Sequence, residues 1–387
     1  MIIIFEQDLT HYRASFYDYL AKHINHEILI VYGEGEPNSA HTIEDGGTER
    51  NFKTLEIKRY WLGRLAYFQS FDKLKRVVKH NDVKCVIHRG AIRNLGLYRE
   101  ISFFKNRGIP VILRGIGFSN KRVFNPNKNI SDFYHRKVVQ RADAYLCYTH
   151  GSKKILDLFY NPKKIFVAVN TLNSSLLSQH YEQLNSIGIG KIKNELGLNK
   201  GKYLIHVGRF APRKNLKKLI KIYADLKKES SDLGLILIGD GSEKEILVNY
   251  VKEHKITDVV FTGSISSENV LVSKYIFSSD VFVITGNIGL SINHSFLFGI
   301  PVVGYVENEL EKRPEGYEQT PEHEHLIDEY NGIIANDDSV ECFSNATKEV
   351  LRSDKYAINA YKYAQENLTV EKMTDGYINA IEYVINK

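Results

Sequence analysis

The residues best suited to chemistry sit at the ends of apolar runs. In HVGRFAPRKN (206–215) the run closes on Gly208, and Arg209 and Lys214 follow just before a helical pattern begins. A guanidinium and an ammonium beside a strand end and a helix start form an anion site, because both donate charge-assisted hydrogen bonds to phosphate-type oxygens. LILIGDGSE (235–243) ends in the same way, with Gly239 and Gly241 flanking Asp240. In GNIGLSINHSFLFGIPVVGY (286–305) Gly286 and Gly289 are three apart and lead into a helix-like segment. Glycine lets the chain turn tightly and bare backbone approach a ligand. Asn287, Ile288, Gly289 and Leu290 would then present N–H groups to an anionic or hydroxyl-rich molecule. His294 lies one turn further on and has two readings, a ligand contact or a packed histidine on a buried helix face. Lys217, Lys218 and Lys221 read as the solvated face of the helix after Lys214.

EHEH (322–325) raises the question of a metal. Two histidines two apart cannot share one helix face, so an acidic loop with Glu322 and Glu324 as sugar contacts is the better reading, and no metal or cofactor is expected. In the first half, basic groups gather at strand ends: His11 and Arg13, then His88, Arg89 and Arg93, then Arg114 with Gly115 and Gly117. Such groups suit an acceptor that carries phosphate. YWLGRLAYFQSF (60–71) mixes Trp61, Tyr67, Phe68 and Phe71 with Arg64 and follows Arg59. It reads either as a core-packed helix or as an amphipathic segment at a membrane face.

The elements that position these groups alternate. Strands are expected at 2–5, 27–32, 84–88, 110–115, 144–149 and 164–170, and again at 203–208, 234–240, 259–263, 280–285, 301–305 and 332–336. Helical segments such as ASFYDYLAKH, LYREISFFKNRG, NLKKLIKIYADLKKES and SEKEILVNYVKEHK lie between them. Alternation of this kind means parallel sheets with helices on both faces. A length of 387 residues suits two such domains. The expected division is 1–175, a connection over 176–200, a second domain over 201–366, and a C-terminal helix over 367–387 packing back on the first. In open α/β sheets, ligands bind beyond the carboxyl ends of the strands, where the motifs above fall.

Composition excludes other classes. Three cysteines, Cys85, Cys147 and Cys342, suggest neither a disulfide framework nor a zinc site, and a reducing, cytoplasmic setting fits. The start, MIIIFEQD, reads as a first strand and not as a signal peptide. No apolar run approaches the ~18 residues of a membrane span. The net charge of +6 divides unevenly: residues 1–172 hold 28 Lys+Arg against 16 Asp+Glu, hence +12, and residues 173–387 hold 24 against 30, hence −6. A basic half points to an anionic partner such as a membrane surface or a lipid phosphate. No nucleic-acid recognition motif is present.

In order and spacing, HVGRFAPRKN, LILIGDGSE, VVFTGSIS, SSDVFVITGNIGLSINHSFLFGIPVVGY and EYNGII resemble the nucleotide-sugar domain of family 4 glycosyltransferases. The resemblance runs over roughly residues 203–335. It implies the GT-B architecture, two doubly wound, Rossmann-like domains facing across a cleft. It also implies that Arg209 and Lys214 hold the donor diphosphate and are the catalytic groups. The family usually carries two glutamates separated by seven residues, and these positions are Gly286 and His294 here. A subgroup resembles this version, with GxxGLxxxH followed by Q-x-P-E-x-E, matched by Gln319, Pro321, Glu322 and Glu324. His294 would then take the ribose contact.

The resemblance implies a retaining glycosyltransferase that moves a sugar from a nucleoside diphosphate sugar, UDP-sugar ahead of GDP-sugar, to a hydroxyl of a glycan. A polyprenyl-diphosphate-linked acceptor at the cytoplasmic membrane, in bacterial surface polysaccharide synthesis such as lipopolysaccharide or capsule, fits the basic first half. The alternatives are a UDP-sugar epimerase of the same fold and a non-catalytic partner that binds nucleotide or glycan.

Overall fold

The computed structural model describes residues 1–33, 50–63, 65–116, 125, 127–307 and 320–387. Arg64, Gly117 and Gln319 lie outside the described residues. The chain divides into two units, Met1–Asn170 with Val370–Lys387, and Thr171–Thr369.

The first unit is built on a parallel sheet of seven strands. They are β1 (Ile2–Phe5), β2 (Ile28–Gly33), β3 (Lys53–Ile57), β6 (Cys85–Arg89), β7 (Val111–Gly115), β8 (Ala144–Cys147) and β9 (Ile165–Val167), in the order β3-β2-β1-β6-β7-β8-β9. Residues of β1 alternate between two cores. Ile2 and Ile4 join one with Phe16, Tyr17 and Tyr377, and Ile3 and Phe5 join the other with Leu97, Ile101 and Phe104. Burial on both faces explains why β1 reads as an unbroken apolar run. The helix Val370–Ile385 covers one face with Val370, Met373, Ala380 and Ile381. Its Gly376 makes that approach possible, since a Cβ there would stand 2.2 Å from the carbonyl oxygen of Val167.

Two features depart from expectation. The edge strand β3, KTLEI, was absent from the reading because its side chains are largely exposed and polar. Residues 59–63 and 65–69 are not helical. They form an antiparallel hairpin of β4 (Arg59–Leu62) and β5 (Ala66–Gln69), turning at Gly63 with φ 57°. Strand-favouring aromatic pairs, Tyr60–Trp61 and Tyr67–Phe68, on either side of a turn glycine favour that form.

The second unit carries a six-stranded parallel sheet of β10 (Lys202–Val207), β11 (Leu233–Ile238), β12 (Val259–Gly263), β13 (Val281–Ile284), β14 (Val302–Gly304) and β15 (Gly332–Ile334), in the order β12-β11-β10-β13-β14-β15. The strand order reverses between β10 and β13, the switch point at which doubly wound sheets bind ligands. Residues 176–200 are largely helical, within Ser174–Ile187 and Ile189–Glu195, and belong to this unit.

Candidate active site

The loops leaving β10 and β13 are stitched together. After β10 the chain passes Gly208 and Arg209 to a 3-10 turn, Pro212–Lys214. After β13 comes Thr285, whose hydroxyl donates to the carbonyls of Lys214 (3.0 Å) and Asn215 (2.9 Å). The Asn287 N–H donates to Arg213 O at 3.2 Å. Gly286 lies directly under the turn, where a Cβ would stand 2.2 Å from Arg213 O and 2.7 Å from the Lys214 Cα. The absence of a glutamate here therefore has a physical cause: the neighbouring backbone occupies the space any side chain would need.

The stitching fixes Lys214. Its Nζ donates to Asn287 O at 2.6 Å and would lie 3.4 Å from a Cβ on Gly289. The N–H groups of Gly289 and Leu290 have no acceptor among the described residues. The side chains of Asn287 and Ile288 point inward, Ile288 against Gly304, so this segment offers backbone and not side chains. Burial, then the charge of Arg213, pushes Lys214 down from its ordinary value to about 8, with Glu322 acting the other way. Arg209 is half-buried and has no carboxylate partner among the described residues. Gly239 and Gly241 carry φ values of 147° and 152° and let β11's loop close on the same place, a Cβ on Gly239 standing 1.9 Å from Gly208 O. Asp240 between them pairs with Lys244 at 2.5 Å.

The acidic segment divides. Glu322 is buried within electrostatic reach of Lys214, whereas Glu324 acts on Tyr363 of the helix Lys355–Asn367. His294 stands against expectation. It is 1% exposed on the short helix Ser291–Leu297, with its ring 5.8 Å from Phe298. Burial, then His180, pushes it down to about 3, so it is neutral. The ring is enclosed by its neighbours in this structure, with no hydrogen-bond partner for Nε2 among the described residues, which is the packed arrangement and not an open ligand contact. Lys218 also departs from its reading, being buried and paired with Asp338.

The sequence reading missed His206. It is fully buried in β10, with Nδ1 3.4 Å from Val283 O and no hydrogen-bond partner for Nε2 among the described residues. That nitrogen would lie 3.5 Å from a Cβ on Gly208. Burial, then Lys214, drives it to about 3. The only sign was a histidine inside the apolar run YLIHV.

In the first unit the basic candidates gather at the strand ends, but most are consumed there. Arg114 is 2% exposed. Its Nη2 pairs with Glu6 at 2.7 Å, and its Nη1 donates to the hydroxyls of Tyr377 (2.6 Å) and Tyr17. Arg13 is buried with Nε 3.8 Å from Glu6. Burial alone would raise Glu6, but Arg114, Arg13 and Arg89 outweigh it and hold the carboxyl at about 2. His88 is buried against Phe5, with Nε2 3.0 Å from Glu100. Arg114, Arg13 and His88 are therefore engaged with Glu6 or Glu100 and tie strand ends to helices. Arg89 is half-buried and donates to Gln7 at 2.7 Å, and His11 is exposed. Among the described residues no group of three or more His, Cys, Asp or Glu is placed to hold a metal ion, and no helix is long and apolar enough to cross a membrane.

Residues 189–367 match the family described as glycosyl transferases group 1. The match falls within the second unit, and together with the glycosyltransferase relatives it shows a transferase enzyme. A glycosyltransferase of Methanocaldococcus jannaschii, itself uncharacterised, is 24% identical over 73% of this chain and 74% of its own length. An N-acetylgalactosaminyltransferase of Campylobacter jejuni, acting on a diphospho-undecaprenol-linked sugar, is 26% identical over 43% of this chain and 46% of its own. Among solved structures, Alr3699/HepE of Anabaena in complex with UDP superposes with a TM-score of 0.67 at 14% identity, over 98% of this chain and 99% of that one. A glycosyltransferase of Rickettsia africae gives 0.72 at 13% identity, over 100% and 98%. These likenesses extend beyond the matched residues to both units and show a GT-B fold.

Proposed function

We propose that this transferase moves a sugar from a UDP-sugar to a hydroxyl of a glycan or lipid-linked saccharide, with retention of the anomeric configuration. The observation that carries the reading is Lys214 held against the bare backbone of 286–290, with Arg209 on the same loop, at the switch point of the second sheet. Two cations and two unengaged N–H groups suit a diphosphate and little else in a nucleotide sugar. As the anomeric C–O bond breaks, the sugar becomes cation-like and negative charge grows on the leaving diphosphate. Arg209 and Lys214 meet that charge where it develops, and fixed donors of this kind are worth ~3 kcal/mol each in other enzymes. Attack from the leaving-group face, with the departing phosphate taking the acceptor's proton, accounts for retention. UDP as the nucleotide is supported by the UDP complex of the Anabaena structure. A lipid-linked acceptor, met at an anionic membrane face, is supported by the basic first half and by the acceptor named for the Campylobacter relative. The test is turnover of UDP-sugars by purified protein. Arg209→Ala should depress it by about a hundredfold or more, and unchanged turnover in that variant would refute the assignment.

A further inference from the structure

The hairpin β4–β5 breaks the usual pattern of a surface ribbon. Its register sets Tyr60 opposite Phe68, Trp61 opposite Tyr67 and Leu62 opposite Ala66. Side chains alternate between faces, so Trp61 and Tyr67 share the inner face with Arg59. That face is seated on the unit. Tyr67 is 7% exposed and its ring lies 4.8 Å from Trp61, while its N–H donates to Arg93 O and its carbonyl accepts from the Leu95 N–H. The outer face should be polar, as on other half-solvated antiparallel ribbons. Instead it presents Tyr60 (59% exposed), Leu62 (54%) and Phe68 (45%), with Leu65 (85%) at the turn and Leu95 (49%) alongside. Scattered apolar residues on a surface need no explanation, but an apolar cluster on one face marks a contact.

Charge says what the contact is. Residues 58–76 hold six basic residues against the single acid Asp72, which gives +5, though Arg59 is buried on the carbonyls of Glu6, Gln7 and Gly33. Lys58, Lys73, Lys75 and Arg76 are exposed, Lys75 being paired with Asp72, as is Arg99 beyond Leu95. Two copies of this chain meeting face to face would bring two such clusters together. An anionic lipid surface meets both requirements at once, with headgroups for the cations and the acyl boundary for the rings and leucines. We propose that the outer face of the hairpin 59–69 docks the first unit on an anionic lipid bilayer, with Leu62, Leu65 and Phe68 entering the interface. The proposal gives the acceptor reading above a physical surface and rests on that reading for its purpose, though not for its geometry.

The test uses the full chain and its single tryptophan, Trp61, which sits just beneath the docking face. Its emission is followed on adding vesicles of phosphatidylcholine alone and vesicles half phosphatidylglycerol, each also made with brominated acyl chains. The expected result is a blue shift and bromine quenching with the anionic vesicles only, weakened at high salt as the charges are screened. The double variant Leu62→Ser, Leu65→Ser should bind the anionic vesicles about tenfold more weakly or worse, with its melting temperature and its UDP-induced thermal shift kept. Those two shared readouts separate failure of the docking proposal from failure of the donor site. No change in Trp61 emission with anionic vesicles at low salt would overturn the proposal, as would equal binding by the double variant. A wild-type dimer that becomes monomeric in the variant would assign the face to a second copy and overturn it likewise.

Discussion

Lys214 carries the sharpest consequence at the scale of single residues. With its ammonium lowered to about 8 by burial, it begins to lose its charge just above neutral pH. A diphosphate stabilises the charged form, so nucleotide binding and proton uptake are linked. UDP affinity should therefore fall as pH rises through about 8, and calorimetry in buffers of different ionisation enthalpy should show proton uptake on binding. A flat affinity profile across that range would remove Lys214 from the site. Gly286 makes the second prediction. Gly286→Ala places a Cβ against Arg213 O, and the turn Pro212–Lys214 must move. Overpacking of this kind costs ~1–3 kcal/mol, and here it displaces Lys214 as well, so denaturant unfolding should report lost stability and titration should report weaker UDP binding. The position of Arg209 and Lys214 just past a strand end was legible because Gly208 closes the apolar run before them. The histidines were not. Whether a ring faces a ligand or a neighbouring helix depends on packing across the unit, and His294 turns toward Phe298 and His180 while His206 turns toward Gly208.

Elements were legible where burial is two-sided. All twelve expected strands are present within a few residues, since parallel strands covered by helices read as continuous apolar runs. Edge and surface elements follow other rules. β3 exposes most of its side chains, and the hairpin β4–β5 carries aromatic residues on both faces, which imitates the composition of a buried helix. The fit of the helix Val370–Ile385 is a further case. Gly376 carries the usual helix penalty of ~1 kcal/mol relative to alanine, yet the carbonyl of Val167 and the Ala168 Cα leave no room for a Cβ. Gly376→Leu should lower stability by ~1–3 kcal/mol in spite of the better helix propensity, measured by urea unfolding. A gain in stability would show that the helix does not lie so close.

At the scale of the whole molecule, three buried histidines make stability fall toward acid pH. His206 and His294 are held neutral in the fold, each lowered to about 3, and His135 is lowered to about 4. Unfolded, they take up protons below their ordinary value of 6.5, so the unfolded state gains protons first and stability falls as pH drops from about 6.5 toward 3. Glu6 adds to the loss below its ordinary 4.5, since its stabilisation is spent as pH falls to about 2. Urea midpoints should therefore decline between pH ~7.5 and ~5, and the decline should be shallower in His206→Gln and in His294→Gln. Equal slopes would mean that these rings titrate normally. The central claim, that the loops after β10 and β13 form a nucleotide-diphosphate site, is tested most directly by calorimetric titration of UDP into wild type and Arg209→Ala. The account predicts binding by the wild type and a loss of about a hundredfold in the variant, at an unchanged melting temperature without ligand. UDP affinity equal in the two proteins, or no binding to the wild type, would contradict it.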